Sequence, residues 1–130
     1  MPIRPVKELV AEAKGMIETM PVETARAKAA AGEILLVDIR DVRELDRDGR
    51  IPGAFHAPRG MLEFWIDPES PYHKPPLATD RKLVLFCASA WRSALSVRAL
   101  MEMGAENVAE LEGGFKAWTE AGAPVERPED

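Results

Sequence analysis

Two short runs of the chain string apolar residues together without a turn residue. Ile34-Leu35-Leu36-Val37 leads into Asp38, and Lys82-Leu83-Val84-Leu85-Phe86 leads into Cys87. Such runs, short and without alternation, are the pattern of strands buried on both faces of a parallel sheet. Elsewhere the period is that of helices. Within residues 4–15, Val6, Leu9, Val10 and Ala13 recur at helical spacing, with Ile17 beyond them and Lys7, Glu8, Glu12 and Lys14 opposite. This predicts an N-terminal amphipathic helix that either packs on the sheet edge or docks a partner or second copy. Ile17–Met20 reads as a short edge strand. Pro21 suits the first turn of a helix running to Ala30 and stopped by Gly32. Asp41–Leu45 reads as a short helix, and Arg50–Pro58 as a turn, a short strand and an exit, with Pro52-Gly53 as the turn signal.

Gly60–Asp67 predicts a helical turn carrying Phe64 and Trp65. Pro68, Pro71, Pro75 and Pro76 make residues 67–80 a surface loop, long enough either to cover a site or to be a solvated insertion. Ser93–Met103 predicts a helix with Ala94, Val97, Leu100 and Met101 on its apolar face and Gly104 at its end. Asn107–Leu111 is a further strand. Glu112-Gly113-Gly114 then turns into a last helix with Phe115 and Trp118 inward, closed by Gly122, and the charged tail from Pro124 is expected to be loose. Strands alternating with helices at this spacing predict an α/β fold, one parallel sheet covered on both faces.

Composition narrows the function. A chain of 130 residues, 46% apolar and 30% charged, is one globular domain able to bury its own core. A net charge of −5 argues against a nucleic-acid or anionic-membrane surface. No apolar run has the form of a signal peptide or the length of a membrane span, so the cytoplasm is the expected compartment. Cys87 is the one cysteine. It allows no internal disulfide, no cysteine cluster for zinc and no internal resolving thiol. Nothing in the sequence calls for a metal or an organic cofactor.

Cys87 itself stands where α/β proteins build sites, at the carboxyl end of a strand. The loop after it and the helix after that turn backbone N–H groups and a positive dipole end toward the sulfur, and Arg92 adds a fixed charge. Such a cradle favours the thiolate and makes Cys87 a nucleophile. The competing reading is an inert thiol closing a core strand.

Four segments together resemble a single-domain rhodanese, in the order that family has them. They are Leu35-Leu36-Val37-Asp38-Ile39-Arg40, then Gly49-Arg50-Ile51-Pro52-Gly53-Ala54, then Phe86-Cys87 through Arg92-Ser93, then Leu111-Glu112-Gly113-Gly114-Phe115-Lys116-Ala117-Trp118. They cover roughly residues 16–125 of residues 1–130, with the N-terminal helix outside that core. The resemblance implies a five-stranded parallel sheet with helices on both faces. It also implies transfer of a sulfane sulfur, from thiosulfate or a small or protein persulfide, to a thiol or cyanide through a persulfide on Cys87. The cradle would be the backbone N–H groups from Ala88 to Arg92, and the substrate-binding loop Ala88, Ser89, Ala90, Trp91 and Ser93. Arg92 would brace the loop; by position at a neighbouring strand end, Asp38 or Glu44 either pairs with Arg92 or Arg40 or lies in a surface salt bridge elsewhere. A sulfur-relay protein is a further possible partner of such an enzyme.

Loop length separates sulfur transfer from its neighbours. Four residues lie between Cys87 and Arg92. The related phosphatases and arsenate reductases have one more, which widens the cradle for a tetrahedral oxyanion. The chain also departs from the family. Arg50 replaces a His, and Ala90 stands where a Gly is usual, at a cost of about 1–2 kcal/mol if that position needs a positive φ. The neutral Ala88 and Ser89 suit a persulfide donor better than thiosulfate. Trp91 could cover the loop mouth, dock a partner or pack on the last helix. His56 is a candidate base or a structural residue, Arg59 a candidate anion attractor or a solvated one, and Phe64 and Trp65 candidate walls or core. A module of the same fold that only binds a partner would have no need of the thiol.

Overall fold

The computed structural model describes residues 2–128. Five strands, β1 (Thr19–Met20), β2 (Ile34–Asp38), β3 (Phe55–His56), β4 (Lys82–Phe86) and β5 (Val108–Leu111), form one sheet in the order β1-β5-β4-β2-β3. Every pairing is parallel, with Leu35 opposite Leu83 and Leu83 opposite Val108. Six helices accompany them: α1 (Val6–Lys14), α2 (Val22–Ala30), α3 (Val42–Asp48), α4 (Leu62–Ile66), α5 (Arg92–Glu102) and α6 (Gly114–Glu120).

The unbroken apolar runs follow from burial on both faces. Ile34, Leu36, Val84, Phe86, Ala109 and Leu111 point to the layer that holds Ala25 of α2 and Phe115 and Trp118 of α6. The alternate residues Leu35, Val37, Leu83, Leu85 and Val108 point to the layer of Leu62, Val97 and Leu100, and Cys87 continues their row. Side chains alternate along a strand, so a strand between two helical layers is apolar at every position.

The connection from β2 leads outward to β3, and that from β4 leads the other way to β5. The crevice between the carboxyl ends of β2 and β4 is therefore the point where the winding reverses, the usual place for a site in an open α/β sheet. Asp38 and Cys87 end the two strands that flank it, and Ile39 still pairs there through its N–H to the Phe86 carbonyl at 3.0 Å.

Several expectations change in detail. The edge strand is only Thr19–Met20, the helix begun by Asp41 runs on to Asp48, and α5 begins at Arg92. Helix α1 packs on α5, where Val10, Ala13 and Ala94 form a small buried cluster. In the 67–80 loop, Pro75–Leu77 forms a 3-10 turn that buries Leu77 in the α5 layer, and Lys74 N–H bonds to the Trp65 carbonyl at 2.8 Å.

The tail is not loose. Ala123 and Val125 pack against the core, Trp118 Nε1–H donates to the Pro124 carbonyl at 2.7 Å, and Arg50 and Glu126 exchange backbone bonds at 2.8 and 2.9 Å. Apolar Ala123 and Val125 among the charged residues anchor it. Removal of residues 123–130 uncovers Trp118 and strands its N–H. Urea unfolding should show a loss of about 2–4 kcal/mol, and an unchanged midpoint would mean that the tail only lies on the surface.

Candidate active site

Cys87 is buried, at 1% exposure. What surrounds it is decided by two backbone bonds. Phe115 N–H donates to the Cys87 carbonyl at 2.8 Å and Lys116 N–H to the Ala88 carbonyl at 3.0 Å. In a trans peptide the carbonyl and the following N–H point in opposite directions. Docking these two carbonyls on the first turn of α6 therefore turns the N–H groups of Ala88 and Ser89 the other way, away from α6. Among the described residues, no N–H from Ala88 to Trp91 bonds to a protein acceptor. Gly114 permits the approach. It has φ +65°, and a Cβ there would stand 2.6 Å from the Cys87 oxygen and 2.9 Å from the Ala88 carbonyl carbon.

Ala90 completes the loop with φ 66°, the one positive φ outside glycine among the described residues. It is buried at the base while Ser89 is exposed. Trp91 is 49% exposed, so it does not pack away on the last helix. Ser93, in the first turn of α5, directs its N–H to Cys87 Sγ at 3.4 Å, with its Oγ 3.7 Å from the same sulfur.

Arg92, at the head of α5, forms a bidentate pair with Glu44, at 2.8 and 2.9 Å. Glu44 is held ready by the start of α3. Asp41 caps that helix, and the Asp41 N–H reaches back to Glu44 Oε2 at 2.9 Å, a capping box readable as Asp-x-x-Glu. The Arg92 hydrogen bonds hold the Glu44 carboxyl below its ordinary range. Those same bonds, and further the charge at Cys87, raise Arg92.

Arg40 is a buried post beside this pair. It forms a bidentate bond to Asp38 (2.9 and 2.7 Å), donates to the Gly49 carbonyl at 2.9 Å and lies 4.1 Å over the Phe115 ring. It thus ties β2, the end of α3 and the start of α6 together. The two pairings left open by the sequence are Asp38 with Arg40 and Glu44 with Arg92.

The remaining candidates have other work. His56 Nε2–H donates to the Arg40 carbonyl at 2.7 Å, which fixes the ring as a structural donor. Arg59 is paired with Glu63 at 2.7 Å. Trp65 stacks edge-on against Phe55, and Phe64 is exposed. Among the described residues no group of three His, Cys, Asp or Glu could hold a metal ion, and no helix is long and apolar enough to cross a membrane.

Sequence reasoning passed over two residues that the fold brings to the site. Gly114 was legible only as a turn. Glu110 is fully buried in β5 and accepts a bond from Ser93 Oγ at 2.8 Å. Its signal was a charged residue inside a strand that is otherwise apolar.

A parallel α/β sheet whose central strand ends in a buried thiol, followed by a short loop and a helix headed by an arginine, has the frame of a cysteine-loop protein. The chain belongs to the rhodanese-like domain family, which matches residues 21–121. It is 34% identical over 97 residues to a sulfurtransferase of Allochromatium vinosum, covering 75% of this chain and 82% of that one. It is 34% identical over 93 residues to the thiosulfate sulfurtransferase GlpE of Shewanella oneidensis, covering 72% and 83%. A solved structure from Rhodopseudomonas palustris, a protein of unknown function described as a possible tyrosine phosphatase, superposes with a TM-score of 0.90. It is 49% identical and the match covers 97% of this chain and 99% of that one. At the level of the family, the chain is a relative of rhodanese-type sulfurtransferases.

Two expected outcomes test this geometry. Ala90→Gly relieves the left-handed backbone and should raise the unfolding free energy in urea by about 0.5–1 kcal/mol, the strain less the entropy of glycine. Because Glu44 is held below its ordinary value of 4.5, its pairing with Arg92 stabilises the fold in full above that pH. The contribution disappears as pH falls through the lowered folded value. The stability gap between wild type and Glu44→Gln should therefore be widest at neutral pH and close on acidification below 4.5; a gap independent of pH would contradict the pairing.

Proposed function

We propose that the protein is a sulfurtransferase that carries a sulfane sulfur on Cys87. The observation that carries this reading is the short loop itself: a buried thiol at the head of a loop whose N–H groups from Ala88 to Trp91 have, among the described residues, no protein acceptor. Donors fixed in that arrangement favour negative charge on the sulfur and on a second sulfur bonded to it, without reorganisation.

In the first step the Cys87 thiolate attacks the terminal sulfur of a donor. The new S–S bond forms on Cys87, and the donor's own bond to that sulfur breaks. The electron pair leaves with the remainder, sulfite from thiosulfate or a thiolate from a persulfide. The outer sulfur of the Cys87 persulfide bears the charge and lies among the loop N–H groups. In the second step a thiolate or cyanide attacks that outer sulfur. The S–S pair returns to Cys87 as thiolate, and the product is a new persulfide or thiocyanate. Arg92, locked to Glu44, braces the loop and supports negative charge from its side.

The cysteine is so deeply set that a donor must present a slender terminal sulfur. Among the described residues the loop itself contributes no cation apart from Arg92, which favours persulfide donors over thiosulfate. A protein that hands over its own persulfide fits the same opening. Phosphatase chemistry is disfavoured by the four-residue spacing between Cys87 and Arg92, although the Rhodopseudomonas palustris relative is described as a possible tyrosine phosphatase.

Intact mass after incubation with glutathione persulfide, and separately with thiosulfate, should show the gain of one sulfur atom, larger with the persulfide. Cyanide should remove it, and Cys87→Ser should not acquire it. Turnover of p-nitrophenyl phosphate without sulfur gain would overturn the assignment in favour of oxyanion chemistry.

A further inference from the structure

Behind the cysteine a polar chain runs from buried Ser93 and Glu110 out to the partly exposed Lys14, and the transfer chemistry does not itself require it. Glu110 has no exposed surface. One of its oxygens accepts the Ser93 hydroxyl at 2.8 Å. The other accepts Lys14 Nζ at 2.8 Å and Thr19 Oγ1 at 3.2 Å. Lys14 comes from α1, which precedes the segment matched by the family. Its position is fixed by the packing of Val10 and Ala13 on Ala94 and by the Arg98–Glu12 ion pair at 3.0 Å.

A hydroxyl has one hydrogen to give. Ser93 gives it to Glu110, because a carboxylate only accepts. The Ser93 oxygen therefore offers a lone pair to Cys87 Sγ at 3.7 Å, and the neutral thiol donates its S–H there. Once the thiol proton has passed to a base in solution, sulfur and Glu110 are two anions competing for the same hydrogen. Glu110 can release the hydroxyl because Lys14 and Thr19 still hold it, and Lys14 balances its charge.

We propose that Lys14 and Glu110 are positioning residues that act through Ser93 to set the pH at which Cys87 becomes a thiolate. The inference rests on Cys87 being the nucleophile. Among the described residues, the other charged groups on the elements packed about the loop include Arg92 with its partner Glu44, the closed pair Asp38–Arg40 and Lys116 of α6, and these stay the same in the variants below.

The two partners act with opposite signs. Without the Lys14 charge, a bare buried carboxylate faces the sulfur across one serine, and the thiol should persist to higher pH. Without the Glu110 charge, Lys14 is unopposed and the Ser93 hydroxyl is free for the sulfur, so the thiolate should form at lower pH. The test is the rate of Cys87 alkylation by iodoacetamide as a function of pH. Lys14→Gln should move the midpoint up, and Glu110→Gln should move it down, each by roughly half a pH unit or more, as expected of a unit charge at this separation in a partly hydrated setting. Lys14→Arg, which keeps the charge, should restore the wild-type midpoint.

Loss of packing alone would change the rate at every pH without opposed shifts in midpoint. Midpoints that move together, or not at all, would overturn the proposal. If Glu110→Gln does not fold, Lys14→Gln against Lys14→Arg decides it alone. Sulfur loading of the wild type, measured in parallel by mass, keeps the two readings apart. Opposed shifts without loading would fault only the sulfur-transfer reading. Loading without shifts would fault only the role of Lys14 and Glu110.

Discussion

The structure of the site depends on one contact, the seating of the Cys87 and Ala88 carbonyls on the first turn of α6. Two N–H groups that a helix end would otherwise leave to solvent are satisfied by two carbonyls that the loop would otherwise turn inward. Both sides gain partners, and the planarity of the peptide does the rest, turning the next N–H groups away from α6. The contact needs a residue without Cβ at Gly114, where any side chain would strike the loop backbone. The Ala90 backbone, at a left-handed φ, then closes the short loop.

Charge is handled in two separate layers around that loop. On the solvent side, Arg92 and Glu44 form a half-exposed bidentate pair whose geometry is set by the helix cap at Asp41. Inside, Arg40 and Asp38 are almost without exposure. A buried pair of this kind adds little net stability, but loss of one partner leaves a buried charge and costs several kcal/mol. Its contribution is geometric: through Gly49 and Phe115 it holds three elements at one corner of the sheet.

Much of this was legible in the residues. The apolar runs ending in Asp38 and Cys87 announced buried parallel strands, because two-sided burial removes alternation. The Cys-to-Arg spacing and the Gly113-Gly114 pair announced the loop and the helix that supports it. The partner choice was not legible. Asp38 and Glu44 were equal candidates for Arg40 and Arg92, since spacing along the chain does not say which carboxylate faces the buried post and which the capped helix. The tail was misread because its charged residues outnumber Ala123 and Val125, although two small apolar contacts and one indole N–H suffice to anchor it. Glu110 was passed over because its partners come from α1, β1 and α5, a convergence that only the sheet order creates.

That convergence has a kinetic meaning. The ion pair between Lys14 and Glu110 spans 96 positions of sequence and that between Arg92 and Glu44 spans 48, while β1 finds its place only beside β5. Contacts so distant along the chain form late, because the entropy of closing long loops must be overcome before they contribute. A nascent or partly folded chain therefore holds Cys87 without the contacts that surround it in the finished fold. The surroundings of Cys87 are assembled only when the first helix and the last have both been synthesised and joined to the same sheet, so the finished site reports completion of the fold.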